Sequence, residues 1–384
     1  VTVRLQADVE VSGLMFNLSS PGGFRNGFTF SNDAPQTITP VGTACTFTVS
    51  TADTTDDVRI YTNISLLGQA PLIKAGGGQL SLYSGNPAYS GTVHIMGGVL
   101  KLPGLSDSPP GVGGLPAVTG LTVRGFPTIS SGMYDGSYFT IPSLSVVVDG
   151  PGVRNQLHDD AVITLARGRF EYQGRRNNDP ASASAETIQQ LVLAPYGVLD
   201  IDTAGAGGSS AGQLTLASAT AGLDRGARGT LLVAVTGSGN PTTDVIVLNG
   251  IAAGALLPWT LTTRAEFMQL NPTTLALETV PSAVAPEDLT TWVAGSDYRI
   301  GLGTNGFASS GELGDLTLRS LSIFANTDAD VAIASGSTLT LSSGALGFQP
   351  VTGTRVARLR GGSLTSGTNE LYLNTGDSAA SHVM

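Results

Sequence analysis

Cysteine is almost missing from this chain: Cys45 stands alone, so there is no internal disulfide and no cysteine-based zinc site. Histidine is nearly as scarce, with only His94, His158 and His382, widely scattered. Lysine occurs twice, at Lys74 and Lys101, and charged residues make up 12% of the chain, about half the share of an average soluble domain. With a net charge of −10, the clustered Lys and Arg of a phosphate-binding face are absent, which excludes nucleic acid as a partner. No apolar run approaches the length of a membrane span, which excludes membrane insertion of this segment. The sequence starts at Val1 without a basic n-region or an apolar h-region, and reads as a mature fragment of a longer, exported protein. Helical periodicity is also nearly missing, and aromatic residues account for only 6%.

What is present is glycine, 51 residues of it, spread over the whole length with 20 prolines. A hydrophobic content of 41% and a mean hydropathy of +0.17 exclude a disordered linker. Short alternating runs recur throughout: Leu80-Ser-Leu82, Val93-His-Ile95, Leu100-Lys-Leu102, Leu214-Thr-Leu216, Leu339-Thr-Leu341. Each reads as a short strand with apolar side chains facing inward at alternate positions. Gly, Asn, Ser and Asp separate them and supply the tight corners. Strands this short gain stability when similar coils stack about 4.8 Å apart and every backbone group pairs with the coil above or below. At about 20 to 25 residues per coil, the chain would form on the order of 16 coils and a rod roughly 75 to 80 Å long. The expectation is an all-β fold, a right-handed parallel β-helix or β-solenoid running continuously over residues 1–384, with excursions from the rod at 103–143 and 257–298. A series of β-sandwiches is the competing architecture, but it calls for longer strands and a Trp-centred core. Cys45, in an alternating Cys45-Thr-Phe-Thr-Val run, is expected to be a small core residue.

The segment Lys74-Ala-Gly-Gly-Gly-Gln-Leu-Ser-Leu-Tyr-Ser-Gly-Asn-Pro-Ala-Tyr-Ser-Gly-Thr-Val-His-Ile-Met-Gly-Gly-Val-Leu-Lys-Leu102 carries a more specific signal. It resembles the autotransporter-associated β-strand repeat of bacterial surface passengers. The matching positions are Lys74, Gly76, Gly78, Leu80, Leu82, Ser84, Gly85, Asn86, Tyr89, Ser90, Gly91, Ile95, Gly97, Gly98, Leu100 and Leu102. The family usually has Thr where Gln79 and Val99 stand, which marks a degenerate copy. The resemblance implies export and display at the bacterial surface, and it assigns no reaction. Looser similarity extends over most of residues 70 to 384. An internal duplication is also visible: Asp8-Val-Glu-Val-Ser-Gly-Leu-Met-Phe16 aligns with Asp315-Leu-Thr-Leu-Arg-Ser-Leu-Ser-Ile323, an offset of 307 residues (315 − 8).

Few residues offer chemistry. In the excursion at 257–298, Trp259, Phe267, Met268, Trp292 and Tyr298 lie among prolines. They read either as a saccharide-stacking patch or as a satellite core covering the side of the solenoid, with a short helix near Arg264–Met268. His158-Asp159-Asp160, with Arg154, Arg167 and Arg169 nearby, is the one grouping of catalytic residue types. Polysaccharide lyases and hydrolases use such acids, and Asp135 and Asp179 would lie about one coil away. The other reading is a polar corner with a capped turn. His94 reads as a surface strand residue and His382 lies in a polar stretch. Asn326-Thr-Asp328-Ala-Asp330 begins like a calcium loop but lacks the later Gly and Glu, and Asp53, Asp56 and Asp57 form a loose acidic loop. No catalytic, metal-binding or cofactor-binding residue is assigned. The functional expectation is a non-enzymatic structural or adhesive protein of the bacterial cell surface or exterior. Its partners would be neighbouring repeats, other copies of itself in fibres or filaments, and surface glycans. The alternative is a polysaccharide-binding or polysaccharide-degrading β-helix protein.

Overall fold

The structure, a computed structural model, describes residues 2–18, 27–50, 57–102, 113–124, 143–147, 156–173, 184–194, 196–202, 212–226, 229–235, 244–262, 266–300, 307, 309–325, 329–350, 357–367 and 370–375. Among them the regular structure is all strand, apart from one 3-10 turn at Leu289–Thr291. No helix among the described residues is long and apolar enough to cross a membrane. The chain separates into two compact units, the first holding the described residues up to Ala252 with Thr274–Ala276, the second those from Ala253 to Thr273 and from Leu277 on.

In the first unit successive strands do not pair with each other; each passes to the next of three parallel sheets. Sheet I stacks Thr2–Arg4, Gly27–Ser31, Asp57–Ile60, Gln79–Leu82, Val99–Leu102, Ser143–Val147, Gly168–Gln173, Tyr196–Asp202 and Thr230–Val235. Sheet II is eight-stranded, from Gly13–Asn17 and Cys45–Ser50 through Leu72–Ala75, Val93–Ile95, Gly120–Arg124, Val162–Ala166 and Gln190–Leu193 to Leu223–Asp224. Sheet III appears as two three-stranded pieces, Val9–Val11, Gln36–Pro40 and Ile64–Leu66, then Ser184–Ile188, Gly212–Leu216 and Asp244–Leu248. This order is β-helix-like.

The period-2 pattern explains the register. Phe28, Val58, Leu80, Leu100, Leu144, Phe170, Leu199 and Val233 follow one another across sheet I. Cys45, Leu72, Val93, Leu121, Ile163, Leu191 and Leu223 do so across sheet II. A slip of one residue would turn the buried Val58, Leu80, Leu100, Phe170, Leu199 and Val233, and the buried residues of the second column, to the other face. Cys45 is fully buried in this column, and burial pushes its thiol above the ordinary value. From Leu100 to Leu144 the spacing is roughly twice a coil. Of residues 103–142, those at 113–124 are described. Leu115 bridges to Leu157 and Gly120–Arg124 takes its regular place in sheet II, so this part of the expected excursion belongs to the ladder.

In the second unit, Ala283–Val284, Asp297–Ile300, Leu316–Ala325, Ala329–Pro350 and Ala357–Thr365 pair in parallel in that order, and Tyr372–Thr375 also pairs with Ala329–Pro350. The longer strands turn corners without breaking the ladder, at register shifts between Leu318 and Ser320 and between Ile333 and Thr338. The region 257–298 departs from the parallel pattern: Leu256–Thr262, Phe267–Leu270 and Leu277–Thr279 form an antiparallel meander. Of the short helix expected near Arg264–Met268, Arg264 and Ala265 lie outside the described residues, while Phe267 and Met268 are buried strand residues, where tertiary burial overrides a local helical pattern. Phe267 and Val280 of the meander pack on Ala345, with Leu256 and Leu261 around them.

Candidate functional site

The side chains with most chemistry in the first unit point inward, and the 74–102 segment holds several. Lys74 occupies an apolar column between Phe47 and Ile95, and it is completely buried. Its Nζ donates to the carbonyl oxygens of Ala75, Gly76 and Gly97 at 2.9, 3.0 and 2.9 Å. The ammonium therefore ties the corner of its own coil to that of the next. Burial pulls its pKa down to about 7, and no carboxylate faces it among the described residues.

Asn86, also buried and at φ 43°, spans three coils: its Oδ1 accepts from the Leu66 N–H at 2.7 Å, and its Nδ2 donates to the carbonyls of Ser84 at 2.6 Å and Gly114 at 3.0 Å. Tyr89 has no exposure, and its hydroxyl donates to the Ala70 carbonyl at 2.8 Å. Burial raises this phenol's pKa. Gly91 must lack a side chain because a Cβ would lie 2.6 Å from that hydroxyl.

Gly76 and Gly98 stack at the corner that Lys74 caps. Gly98 has φ +65°, and a Cβ there would strike the carbonyl oxygens of Gly78 and Gly76. Gly98→Ala is therefore expected to cost about 2 to 3 kcal/mol through backbone strain and a forced shift of the coil beneath. Urea denaturation measures this, and a loss within 0.5 kcal/mol, the usual bound for a surface substitution, would contradict it.

A second buried group lies where sheet III is interrupted. Strand Ser184–Ile188 pairs with Gly212–Leu216 on one side, while on the other the backbone of Gln156 and Leu157 is met by a side chain. Glu186, 1% exposed, accepts the Gln156 N–H at 3.0 Å and the Leu157 N–H at 3.2 Å, one on each carboxyl oxygen. Burial raises its pKa to about 8 against the lowering effect of these bonds. Gln156, buried in turn, donates from Nε2 to the carbonyls of Leu102 and Gly113. Side chains thus supply the pairing that backbone supplies elsewhere on this face. Alternation placed Glu186 in the inward phase with Ile188, two residues on, so the signal was in the sequence.

The described members of the grouping proposed from sequence do not converge. His158 Nδ1 accepts the Asp160 N–H at 3.0 Å, and Ala161 N–H returns to the His158 carbonyl at 2.8 Å, which closes a turn. Asp159 and Asp160 are exposed. Arg169 leaves for sheet I, where it pairs with Glu171 at 3.2 Å, and Arg167 sits at a corner with φ 64°. Arg154, Asp135 and Asp179 lie outside the described residues, as do Asp53, Asp56, Asn326, Asp328 and His382; of Asp57 the backbone alone is described. Asp330 is engaged by Arg360 at 2.9 Å. His94 is half-buried on its strand, with Nε2 3.3 Å from the Thr92 hydroxyl. Among the described residues no group of three or more His, Cys, Asp or Glu is placed to hold a metal.

In the second unit the aromatic residues do not form a free patch. Trp292 is buried, its ring 4.8 Å from that of Tyr298, and its Nε1 donates to the Pro286 carbonyl at 2.9 Å. Trp259 is half-buried. Polar side chains fasten the meander to the sheet: Arg319 donates to Asp297 at 2.7 Å and to Gln269 at 2.7 Å, Gln269 donates to Glu278 at 3.0 Å, and Arg299 pairs with Glu266 at 3.1 Å. These acids and bases bind one another across a packed contact, the satellite-core arrangement. No family model, no curated protein and no solved structure matches this chain.

Proposed function

We propose that this chain is a non-enzymatic structural or adhesive part of a bacterial extracellular or cell-surface repeat protein, built as a right-handed parallel β-solenoid and related to the autotransporter-associated β-strand repeat proteins. The observation that carries the reading is where the reactive side chains go. Lys74, Tyr89 and Glu186, whose pKa values are strongly displaced among the described residues, are buried and bonded to backbone, each holding one coil to another. An enzyme places such groups in a cleft where substrate can reach them. The 74–102 resemblance supports the same reading, since its matching residues fill positions that a stacked coil requires.

Incubation with a panel of acidic and neutral polysaccharides, assayed for new reducing ends and unsaturated sugars, is expected to give nothing above buffer. Turnover that disappears in Asp159→Ala would overturn the non-enzymatic assignment and place chemistry at the His158 turn. Immunogold labelling of intact source cells is expected to decorate their outer surface; label confined to the interior would refute surface display.

A further inference from the structure

Most cations of the described residues are engaged. Arg4, Arg169, Arg299, Arg319 and Arg360 pair with carboxylates, and Lys74 and Arg225 donate to backbone carbonyls. Arg124, Arg167 and Arg358 are exposed and have no such partner among the described residues. The first two lie together. Arg124 pairs in register with Ala166, so Arg167 follows on the adjacent coil, about 4.8 Å away in the stacking direction. In a chain of net charge −10, two unpaired cations side by side are a local reversal of sign.

The face around them carries hydroxyls rather than acids. Arg124 is on the outward side of sheet II, in phase with Thr122, which pairs with Thr164 one coil on. That column continues through Val192 and meets its first acid at Asp224, two coils beyond Thr164. Arg169, two residues after Arg167, is taken up by Glu171. Arg167 also stands in an uncommon backbone conformation, φ 64°, at the bend from sheet II to sheet I, where Gly76 and Gly98 take φ 78° and 65°. Glycine adopts that conformation freely, whereas other L-residues meet a steric penalty. An arginine held there against the preference of the backbone points to a use for its guanidinium.

We propose that Arg124 and Arg167 bind an acidic polysaccharide, the two guanidiniums taking one anionic substituent of a sugar between them and the Thr122 and Thr164 hydroxyls meeting the ring hydroxyls beside it. This site rests on the adhesive reading above and gives it a ligand class. Guanidinium groups bind oxyanions through paired N–H donors in a fixed fork. The outer side of a sheet is flat, so an extended polymer crosses the stacked strands without entering a cleft. Sparse anions along a sugar chain suit two arginines, whereas the dense charge of a nucleic acid would meet the negative field of the rest of the molecule.

Native electrophoresis through gels containing polygalacturonate, dextran sulfate or neutral dextran tests this. The chain is expected to be retarded by an acidic polymer and not by dextran, and the retardation to be lost at high salt. Retardation by polygalacturonate assigns the anion as carboxylate, and retardation by dextran sulfate alone assigns it as sulfate. Arg124→Gln and Arg167→Gly are each expected to weaken binding about tenfold. Arg167→Gly should do so with an unchanged or higher melting temperature, because glycine relieves the bend. Arg358→Gln, which removes the same charge elsewhere, is expected to bind as the parent does. Absence of retardation by both acidic polymers, equal weakening by Arg358→Gln, or binding to vesicles of anionic phospholipid in place of the polymers would overturn the proposal. Shortening of the polymer, read as new reducing ends, would instead overturn the non-enzymatic reading, whether or not the arginine variants bind.

Discussion

Replacing Glu186 with alanine is expected to lower folding stability by about 4 to 6 kcal/mol. Two buried backbone N–H groups, those of Gln156 and Leu157, have the Glu186 carboxyl as acceptor. Leaving each unsatisfied costs about 1 to 3 kcal/mol, and the missing side chain adds a cavity in a close-packed column. Removing a buried ionisable group returns part of its desolvation cost, but the donors stay behind. Glu186→Leu separates the two contributions. It refills the space without restoring an acceptor, so it should remain nearly as unstable as the alanine variant. Glu186→Gln keeps one oxygen and turns an amide NH₂ toward the other donor, so about half the loss should return. The midpoint of urea unfolding at constant slope measures all three. A leucine variant as stable as the parent would show that Glu186 fills space and that its hydrogen bonds contribute little.

The parts of this fold that could be read in advance follow from the side-chain period. Leu80-x-Leu82, Leu100-x-Leu102 and Leu214-x-Leu216 announce strands, and the structure stacks the first two runs in one column with Leu80 against Leu100. The stacking of the sheets does not depend on any single residue, because each inward Leu, Val or Ile needs only an apolar neighbour above and below. What alternation could not convey is what happens when an inward position is polar. Lys74 stands in phase with Leu72, and Glu186 in phase with Ile188, yet both residue types are normally assigned to the surface. Their roles emerge only when the coil above or below shows which backbone groups lack partners. The excursion at 257–298 is marked in the sequence by the break in the rung pattern, but the antiparallel course of its strands at 256–279 is not, because that course depends on contacts with Ala345 and Arg319, far along the chain. The His158 turn drew attention because catalytic residue types are adjacent in sequence, but the coil sends Arg169 onto a different sheet from its neighbours.

Among the buried ionisable groups of the described residues, Glu186 and Lys74 titrate nearest neutrality and act in opposite directions with pH, and the expected result is a stability minimum between about pH 7 and 8 with a rise on either side. Glu186 titrates near 8 in the folded chain against an ordinary value of 4.5. The folded state therefore holds its proton more tightly than the unfolded state. Its contribution is complete below about pH 4.5 and is lost as pH rises through 8. Lys74 titrates near 7 against an ordinary 10.5. Here the unfolded state binds the proton more tightly, so the contribution is complete above about pH 10.5 and is lost as pH falls through 7. Each displacement corresponds to roughly 5 kcal/mol between its two limits. Melting temperature followed from pH 5.5 to 9.5 in one buffer series should trace the dip. Lys74→Met, which preserves an unbranched apolar stem, should flatten the alkaline rise and leave the acid side unchanged; Glu186→Gln should do the reverse. An alkaline rise that persists in Lys74→Met would mean that the three carbonyls around Nζ keep the ammonium charged at neutral pH. The charge would then serve as a clamp between coils with no titration in this range.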